Sequence, residues 1–298
     1  MRLRSSIEVR RCRPLLGTFV DVACEGSLND IDRAFATIEK VHRLMSFHDR
    51  QSDVSRMNRD AFHKSVRIHP WTWRVLKCAQ EFSRKTDGVL DITIARRLVQ
   101  WDYLPRPDRW LCDGGSWRDI VLDDEGTVRF RRRVIVDLGG IAKGFAVDRA
   151  VETLQDNGVT AGIVNAGGDL RTFGLVSRAI HLRHPAEPTH VARAVRLRER
   201  AMATSGIYFQ RREYRGKSIG PLLDGRTGQS SCELISVSVA AAECMVADAL
   251  TKIVFALREK AAGLLAQHQA AALLLERDGA PSWMFCSSCD IHDGTRFD

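Results

Sequence analysis

Apolar and polar positions along the chain switch between helical and strand spacing at irregular intervals. Apolar residues at helical spacing predict helices over 27–44, 71–82, 141–154, 243–255 and 260–267, and Ser27-x-x-Asp30 predicts a capping pair at the start of the first. Alternating, β-branched stretches predict strands over 16–23, 120–122, 128–130, 134–136, 161–165, 180–183, 194–198, 234–239 and, as the last strand, 271–275. Segments 203–206 and 223–228 predict turns. The irregular order predicts an α+β fold, with mixed and antiparallel sheets packed by helices as a single compact unit.

No linker or internal repeat divides the chain. The first residues are basic but lack the apolar stretch of a secretory signal, so we expect an N-terminal arm over 1–12 and one domain over 13–298. A membrane-spanning helix needs a run of about 18 apolar residues, which the sequence does not contain. We therefore expect a cytoplasmic location.

One stretch of the sequence combines a strand end, a pair of glycines and a helix start. The strand over 134–136 leads into Asp137, the chain breaks at 139–140, and Lys143 falls in the first helical turn. Backbone N–H groups at a helix start can bind an anion. The alternative is a tight strand-to-helix turn with a solvated lysine, because the stretch matches neither common glycine-rich nucleotide loop. The glycine pair 167–168 ends another predicted strand and suggests a second close approach of backbone.

The helix predicted from residue 243 carries a second candidate group. Asp248, Thr251 and Lys252 are three or four residues apart, which places them on one helical face. The alternative interpretation is an exposed Asp–Lys pair, which would contribute only a few tenths of a kcal/mol or so to stability.

The composition of the chain excludes few classes of function. With 44% hydrophobic and 28% charged residues the chain has an ordinary globular composition, and its net charge of +8 favours an acidic ligand or anionic surface without identifying either. The basic run 131–133 follows a predicted hairpin, so we expect a solvated edge and no nucleic-acid partner.

Among eight cysteines only Cys286 and Cys289 are close in sequence. We expect two reduced surface thiols there, with an incidental metal or disulfide site as the alternative.

Several short motifs occur in a specific order and spacing. They are Leu16-Gly17-Thr18; Met45-Ser46 with Ser52-x-x-Ser55-Arg56-x-Asn58; Gly88-Val89-Leu90-Asp91-Ile92-Thr93; Asp137-Leu138-Gly139-Gly140-Ile141-Ala142-Lys143-Gly144-x-Ala146-Val147-Asp148; Asn165-x-Gly167-Gly168-Asp169; Ala203-Thr204-Ser205-Gly206; Asp224-x-Arg226-Thr227-Gly228; and Ala247-Asp248-Ala249-Leu250. On these motifs the chain resembles the ApbE family, the FAD:protein FMN transferases, over most of its length.

The resemblance implies that FAD binds with Mg²⁺ at its pyrophosphate. FMN would then pass to a Ser or Thr hydroxyl of a partner protein, with AMP as the leaving group. By position, the residues that would contact FAD are Leu16, His48, Val89, Leu90, Asp91, Asp137, Lys143 and Leu223. The Gly140 carbonyl, the Asp248 carboxylate and Thr251 would hold Mg²⁺, and Asp248 would be the catalytic residue.

Two positions depart from the family pattern. Pro221 stands where the family commonly has a histidine that could help to deprotonate the acceptor hydroxyl. Lys252 stands where the family tends to place a threonine metal ligand, and Thr251 directly precedes it. Lys252 would either neutralise Asp248 and contact the pyrophosphate, or swing outward and leave Mg²⁺ in place. We favour a dependence on Mg²⁺ that is weakened but not abolished.

The sequence is therefore compatible with three functions. A flavin transferase is the leading hypothesis, a non-catalytic FAD-binding protein is the second, and a hydrolase that splits FAD into FMN and AMP is the third. The acceptor protein cannot be read from this sequence, since that information lies in the partner.

Overall fold

Eighteen strands are present in the computed structural model, which describes residues 8–107, 113–206, 211–230, 235–286 and 292–293. In chain order they are β1 (Val9–Leu15), β2 (Thr18–Cys24), β3 (Val66–Arg67), β4 (Ile120–Leu122), β5 (Thr127–Phe130), β6 (Gly162–Ala166), β7 (Asp169–Phe173), β8 (Arg178–Arg183), β9 (Val191–Leu197), β10 (Ala201–Gly206), β11 (Arg212–Tyr214), β12 (Lys217–Ile219), β13 (Leu223–Asp224), β14 (Gln229–Ser230), β15 (Ser236–Ala241), β16 (Ala271–Leu275), β17 (Pro281–Cys286) and β18 (His292–Asp293).

Seven α-helices accompany these strands across the described ranges. They are α1 (Leu28–Met45), α2 (Asp53–Asp60), α3 (Pro70–Lys85), α4 (Ala95–Gln100), α5 (Ala142–Asp156), α6 (Cys244–Leu257) and α7 (Ala262–Gln267). Short 3-10 helices cover Ile92–Ile94, Trp117–Asp119 and Arg258–Ala261. None of the helices in the described part of the chain is both long and apolar enough to cross a membrane.

Eight strands form one antiparallel sheet in the order β1-β2-β6-β7-β10-β15-β16-β17. Smaller sheets have the orders β3-β5-β4, β18-β9-β8, β11-β12 and β13-β14. Helix α1 packs against α5, α5 against α6, and α6 against β10 and β15, which buries the main core. A second apolar cluster joins β8 and β9 to Leu170 and Met202 of the large sheet. The predicted α+β fold in one compact unit is confirmed.

Local signals in the sequence place α1 correctly. Ser27 is the N-cap, with its side chain accepting a hydrogen bond from the Asp30 N–H, and the Asp30 carboxylate accepts from the Ser27 N–H at 2.9 Å. This reciprocal capping satisfies backbone donors that the first helical turn would otherwise leave unpaired. The predicted capping pair is therefore confirmed.

Three predictions about strands are wrong. The predicted strand over 134–136 lies outside the sheets, because the Asn58 side chain pairs with the backbone of Val136 in place of a neighbouring strand. Residues 203–206 belong to β10 and not to a turn, since they pair with β15 in regular antiparallel register. The strand over 271–275 is not the last, because β17 pairs with it.

Two further expectations concern the ends of the chain. Strand β1 begins at Val9, so the large sheet extends into the range 1–12 that we assigned to an arm, and residues 1–7 lie outside the described part. Cys289 also lies outside the described residues, as does the side chain of Cys286.

Asn58 holds the segment before α5 in place. Its Nδ2 donates to the Val136 carbonyl at 2.9 Å, and its Oδ1 accepts from the Val136 N–H at 2.8 Å. Asn58→Ala leaves both backbone groups unpaired beside the fully buried Val136. We expect the free energy of unfolding to fall by about 2–4 kcal/mol, measured by urea denaturation. Asn58→Asp keeps the acceptor and should cost less, whereas equal midpoints for the wild type and Asn58→Ala would contradict this role.

Candidate functional site

Several turns converge on one cavity of about 1650 Å³. The turns contribute Leu16 to Thr18, Val89 to Asp91, Gly139 to Ile141, Asn165 to Gly168 and Pro221 to Leu223, and β8 forms another part of the lining. The volume exceeds the roughly 300–1,000 Å³ that is usual for a small-molecule site. The cavity can therefore hold an extended ligand and leave space for a second reactant.

Two hairpin turns pack against each other at the rim of the cavity. Leu16 and Gly17 form the two-residue turn between β1 and β2, with φ of 56° and 71°. Such values suit a type I′ turn, which is unusual for leucine. Gly167 and Gly168 form the same kind of turn between β6 and β7, with φ of 66° and 103°. A Cβ at residue 167 would overlap the Thr18 hydroxyl, so the close packing of the two turns requires glycine.

The turn before α5 is built around Asp137. Its Oδ2 lies 2.9 Å from the position that a Cβ at residue 139 would occupy, so the carboxylate folds back over Gly139. Burial raises the pKa of Asp137, while the Gly139 N–H, the nearby His48 and the Leu138 N–H oppose that rise. The turn thus places a half-buried carboxyl group beside the glycine pair, on the cavity wall.

Helices α5 and α6 each cap the first turn of the other. Asp148 on α5 accepts hydrogen bonds from the Cys244 N–H at 2.9 Å and the Met245 N–H at 2.8 Å. Asp248 on α6 in turn accepts from the Gly144 N–H at 3.2 Å. Carboxylates favour such positions because they pair with unsatisfied amides and with the positive end of the helix dipole.

A cluster of four charged side chains lies beneath the glycine turn. Lys143 pairs with Asp169, and Lys252 pairs with Asp248. Asp169 and Asp248 are almost completely buried, whereas Lys252 retains 16% exposure and reaches the cavity. The exposed Asp–Lys pair considered from the sequence is therefore wrong, because the carboxylate is wholly enclosed. Removing either partner of such a pair would leave an uncompensated buried charge.

The electrostatics of the cluster are set by burial and by mutual contact. Burial and the Asp248 charge raise the pKa of Asp169, while Lys143 and Lys252 oppose that rise. Burial alone would lower the pKa of Lys143, but Asp169 and Asp248 raise it above its ordinary value. The lysine is therefore a permanent cation at neutral pH.

One oxygen of Asp169, Oδ1, is buried with no hydrogen-bond partner among the described residues.

The apolar part of the cavity depends on Gly225. Its N–H donates to the Val89 carbonyl at 2.9 Å, and a Cβ at this position would overlap the Gly88 carbonyl. This contact brings Leu223 to the segment Val89 to Asp91, although more than 130 residues separate them in the sequence.

Asp91 lies in that segment, with its carboxylate directed into the fold. It accepts from the N–H and hydroxyl of Thr93 at 2.8 and 2.7 Å, and from the Trp117 N–H at 3.1 Å. Burial raises the pKa of Asp91 and these donors oppose the rise. The side chain therefore holds the 3-10 helix Ile92–Ile94 in position.

Most of the site residues expected from the sequence surround the cavity. Those that line it are Leu16, Val89, Leu90, Asp91, Asp137, Gly140, Lys143 and Leu223. His48 is exposed and outside the lining, though close enough to influence Asp137. Asp248 and Thr251 are fully buried behind the lining, and Thr251 donates to the Asp248 carbonyl at 2.7 Å.

Two groups were missed by the sequence reasoning. Asp169 was quoted in a motif but not assigned to the site, although it directly follows the glycine pair 167–168. Strand β8 also lines the cavity, and no local feature of its sequence indicates this.

The residues expected to bind Mg²⁺ do not fit that role in this arrangement. Asp248 Oδ1 is paired with Lys252 and Oδ2 with the Gly144 N–H. The Thr251 hydroxyl donates to the Asp248 carbonyl and contacts the Ser205 hydroxyl at 2.7 Å. Within the described ranges, no group of three or more His, Cys, Asp or Glu side chains is arranged to hold a metal ion.

Comparison with known proteins identifies relatives of the whole fold. The model of the ApbE family matches residues 16–274. The FAD:protein FMN transferase of Vibrio cholerae serotype O1 is 30% identical over 237 residues, covering 74% of this chain and 70% of the relative. The FAD:protein FMN transferase of Haemophilus influenzae is 29% identical over 262 residues, covering 80% and 76%. The crystal structure of the ApbE protein of Thermotoga maritima superimposes with a TM-score of 0.81 and 27% identity, covering 95% of this chain and 97% of that one.

The contact between α5 and α6 allows a direct test. A Cβ at residue 144 would overlap the Cys244 carbonyl and come within 2.8 Å of the Met245 Cα, both of which are backbone atoms. We expect Gly144→Ala to lower the free energy of unfolding by about 1–3 kcal/mol, as overpacking does. Thermal and urea denaturation would measure the change.

Gly263 is the matched control, because it lies in α7 with nothing within 4 Å of a Cβ. Gly263→Ala should leave stability unchanged or raise it by up to about 1 kcal/mol. Equal effects of the two substitutions would show that the contact at Gly144 is not tight.

Proposed function

The chain belongs to the ApbE family and, like its curated relatives, is a transferase; we propose that it moves FMN from FAD to a Ser or Thr hydroxyl of an acceptor protein and releases AMP. The observation that supports this most is that one cavity combines cationic and apolar lining residues. Gly140, Lys143 and Lys252 line it at the glycine turn, and Leu16, Val89 and Leu223 are among its apolar lining residues.

That combination matches the chemistry of FAD. A pyrophosphate is anionic and suits lysine ammonium groups and the amides of a helix start. The isoalloxazine and adenine rings are flat and suit apolar walls. We therefore assign the pyrophosphate to the glycine turn at residues 139–140 and the rings to the apolar lining that includes Val89 and Leu223. Asp137 and Lys143 would contact FAD directly in this arrangement, with Val89 to Asp91 and Leu223 beside it.

The transfer itself is a substitution at phosphorus. The acceptor oxygen forms a bond to the FMN phosphorus while the bond from that phosphorus to the bridging oxygen breaks. AMP leaves with the electron pair, and the hydroxyl proton passes to solvent, because Pro221 offers no proton acceptor. Phosphoryl transfer depends mainly on positioning and on neutralising charge, which the lysines and the helix start supply. Asp248, assigned as catalytic from the resemblance, acts here through Lys252 and Gly144 and is a positioning residue.

The experiment that tests this function is a flavin-transfer assay. The chain would be incubated with FAD, Mg²⁺ and a folded, threonine-bearing acceptor domain, and the products analysed by intact mass and nucleotide chromatography. We expect an adduct of FMN mass on the acceptor together with free AMP. The Vibrio cholerae relative serves as the positive control, and an acceptor with valine in place of the threonine as the negative control.

The other hypotheses predict different products in the same assay. AMP and FMN without an adduct would identify an FAD hydrolase. Bound FAD with neither product would identify a non-catalytic binding protein, and either result would overturn the proposed transfer.

Asp137 tests the position of the flavin. Asp137→Ala removes the carboxylate that folds over Gly139, so the turn loses the shape that we assign to the pyrophosphate. We expect the Kd for FAD to rise at least about tenfold, corresponding to about 1.4 kcal/mol, in a titration of flavin fluorescence. Asp156→Ala, an exposed substitution at the end of α5, is the control and should leave Kd unchanged. Unchanged affinity in Asp137→Ala would place the flavin elsewhere.

A further inference from the structure

We propose that the Lys252 ammonium group takes the position of a divalent cation beside the glycine turn, so that the chain binds the FAD pyrophosphate without Mg²⁺. The identity of the ligand rests on the proposed function. In this arrangement a lysine ammonium group neutralises the phosphates in place of Mg²⁺, because the residues expected to bind the metal are engaged in other contacts.

The position of Lys252 is the first observation. Its Cε lies 3.6 Å from where a Cβ of Gly140 would stand, so the side chain passes over the glycine turn. Lys252 lines the cavity, whereas Asp248, one helical turn earlier on α6, does not. Lys252 is therefore the member of this ion pair that a ligand in the cavity would meet.

The second observation is that both carboxylate oxygens of Asp248 already accept hydrogen bonds. Its two oxygens accept from the Lys252 ammonium and from the Gly144 N–H. Mg²⁺ requires oxygen ligands at about 2.0–2.1 Å in octahedral geometry. A divalent ion bound to Asp248 would have to displace the ammonium group, because two cations that close repel strongly in a buried site.

The burial of the pair is the third observation. Lys252 is 16% exposed and Asp248 is fully enclosed, so the ammonium group does not extend into solvent. An outward swing would leave Asp248 as a buried charge paired only with a backbone amide, which is unfavourable. The structure thus favours the arrangement in which Lys252 stays at Asp248 and replaces the metal.

Thr251, another residue expected to bind the metal, also has its hydroxyl engaged in other hydrogen bonds. Its hydroxyl donates to the Asp248 carbonyl and contacts Ser205, and the residue is fully buried. It cannot also turn toward the cavity without breaking these hydrogen bonds. Gly140 then remains as the one expected metal ligand on the cavity wall, and a single carbonyl does not form a magnesium site.

The test compares FAD binding in EDTA and in excess Mg²⁺. Flavin-fluorescence titration of the wild type should give Kd values within about threefold of each other. Lys252→Met should weaken FAD binding at least about tenfold in EDTA, and Mg²⁺ should restore most of it, because Asp248 is then free to bind the metal. Mn²⁺ electron paramagnetic resonance should show bound Mn²⁺ in Lys252→Met with FAD and none in the wild type with FAD.

Two further variants control for folding and for loss of a lysine. Lys64→Met removes an exposed lysine outside the cavity lining and should behave as the wild type. The double variant Lys252→Met with Asp248→Asn removes the buried unpaired charge and should keep weak FAD binding in EDTA. Mg²⁺ should not rescue this double variant, because an amide is a poor substitute for a carboxylate ligand.

The possible results distinguish the replacement of Mg²⁺ by Lys252 from the proposed binding of FAD. FAD binding by the wild type that fails in EDTA and returns with Mg²⁺, or bound Mn²⁺ in the wild type, would overturn the metal replacement and leave the flavin assignment intact. Failure to bind FAD in either condition would overturn both. The wild-type comparison decides the matter even where a variant does not fold.

Discussion

The packing of α5 directly against the start of α6 is the contact on which the site depends. Gly144 lets the two backbones approach, and Asp148 and Asp248 each cap the other helix. The helices can separate only if three backbone amides lose their acceptors in the interior. Both helix starts are thereby fixed relative to the sheet, since α6 also packs on β10 and β15. The orientation of the glycine turn follows from that arrangement.

Fixing the helix starts also brings charges into the interior. Two carboxylates and two ammonium groups lie together, and each charge is compensated by a neighbour. Such pairs contribute little net stability, because the cost of removing them from water offsets their attraction. Their value is positional, since an aliphatic side chain of similar size would fill the space without presenting a cation to the cavity. The charge cluster therefore contributes more to the charge of the cavity lining than to stability.

Features encoded within a few residues were predictable, and features that depend on distant partners were not. The capping of α1 by Ser27 and Asp30 is local and was predicted. The irregular segment at Val136 depends on Asn58, 78 residues earlier, and was predicted as a strand. For the site, motif order predicted residues that line one cavity, among them Gly140 and Leu223. It did not show that Asp248 would be enclosed behind Lys252, because burial is a property of the assembled helices.

The two stacked hairpin turns restrict how this cavity can diversify. Each turn has two residues and the pair is in contact through Gly167 and Thr18, so neither can accept an insertion without separating from the other. Another part of the lining comes from β8, which belongs to a separate three-stranded sheet. Changes of sequence in β8 leave the strand pairing of the large sheet untouched. The shape of the cavity can therefore vary at β8 while the part built from the two turns stays constant.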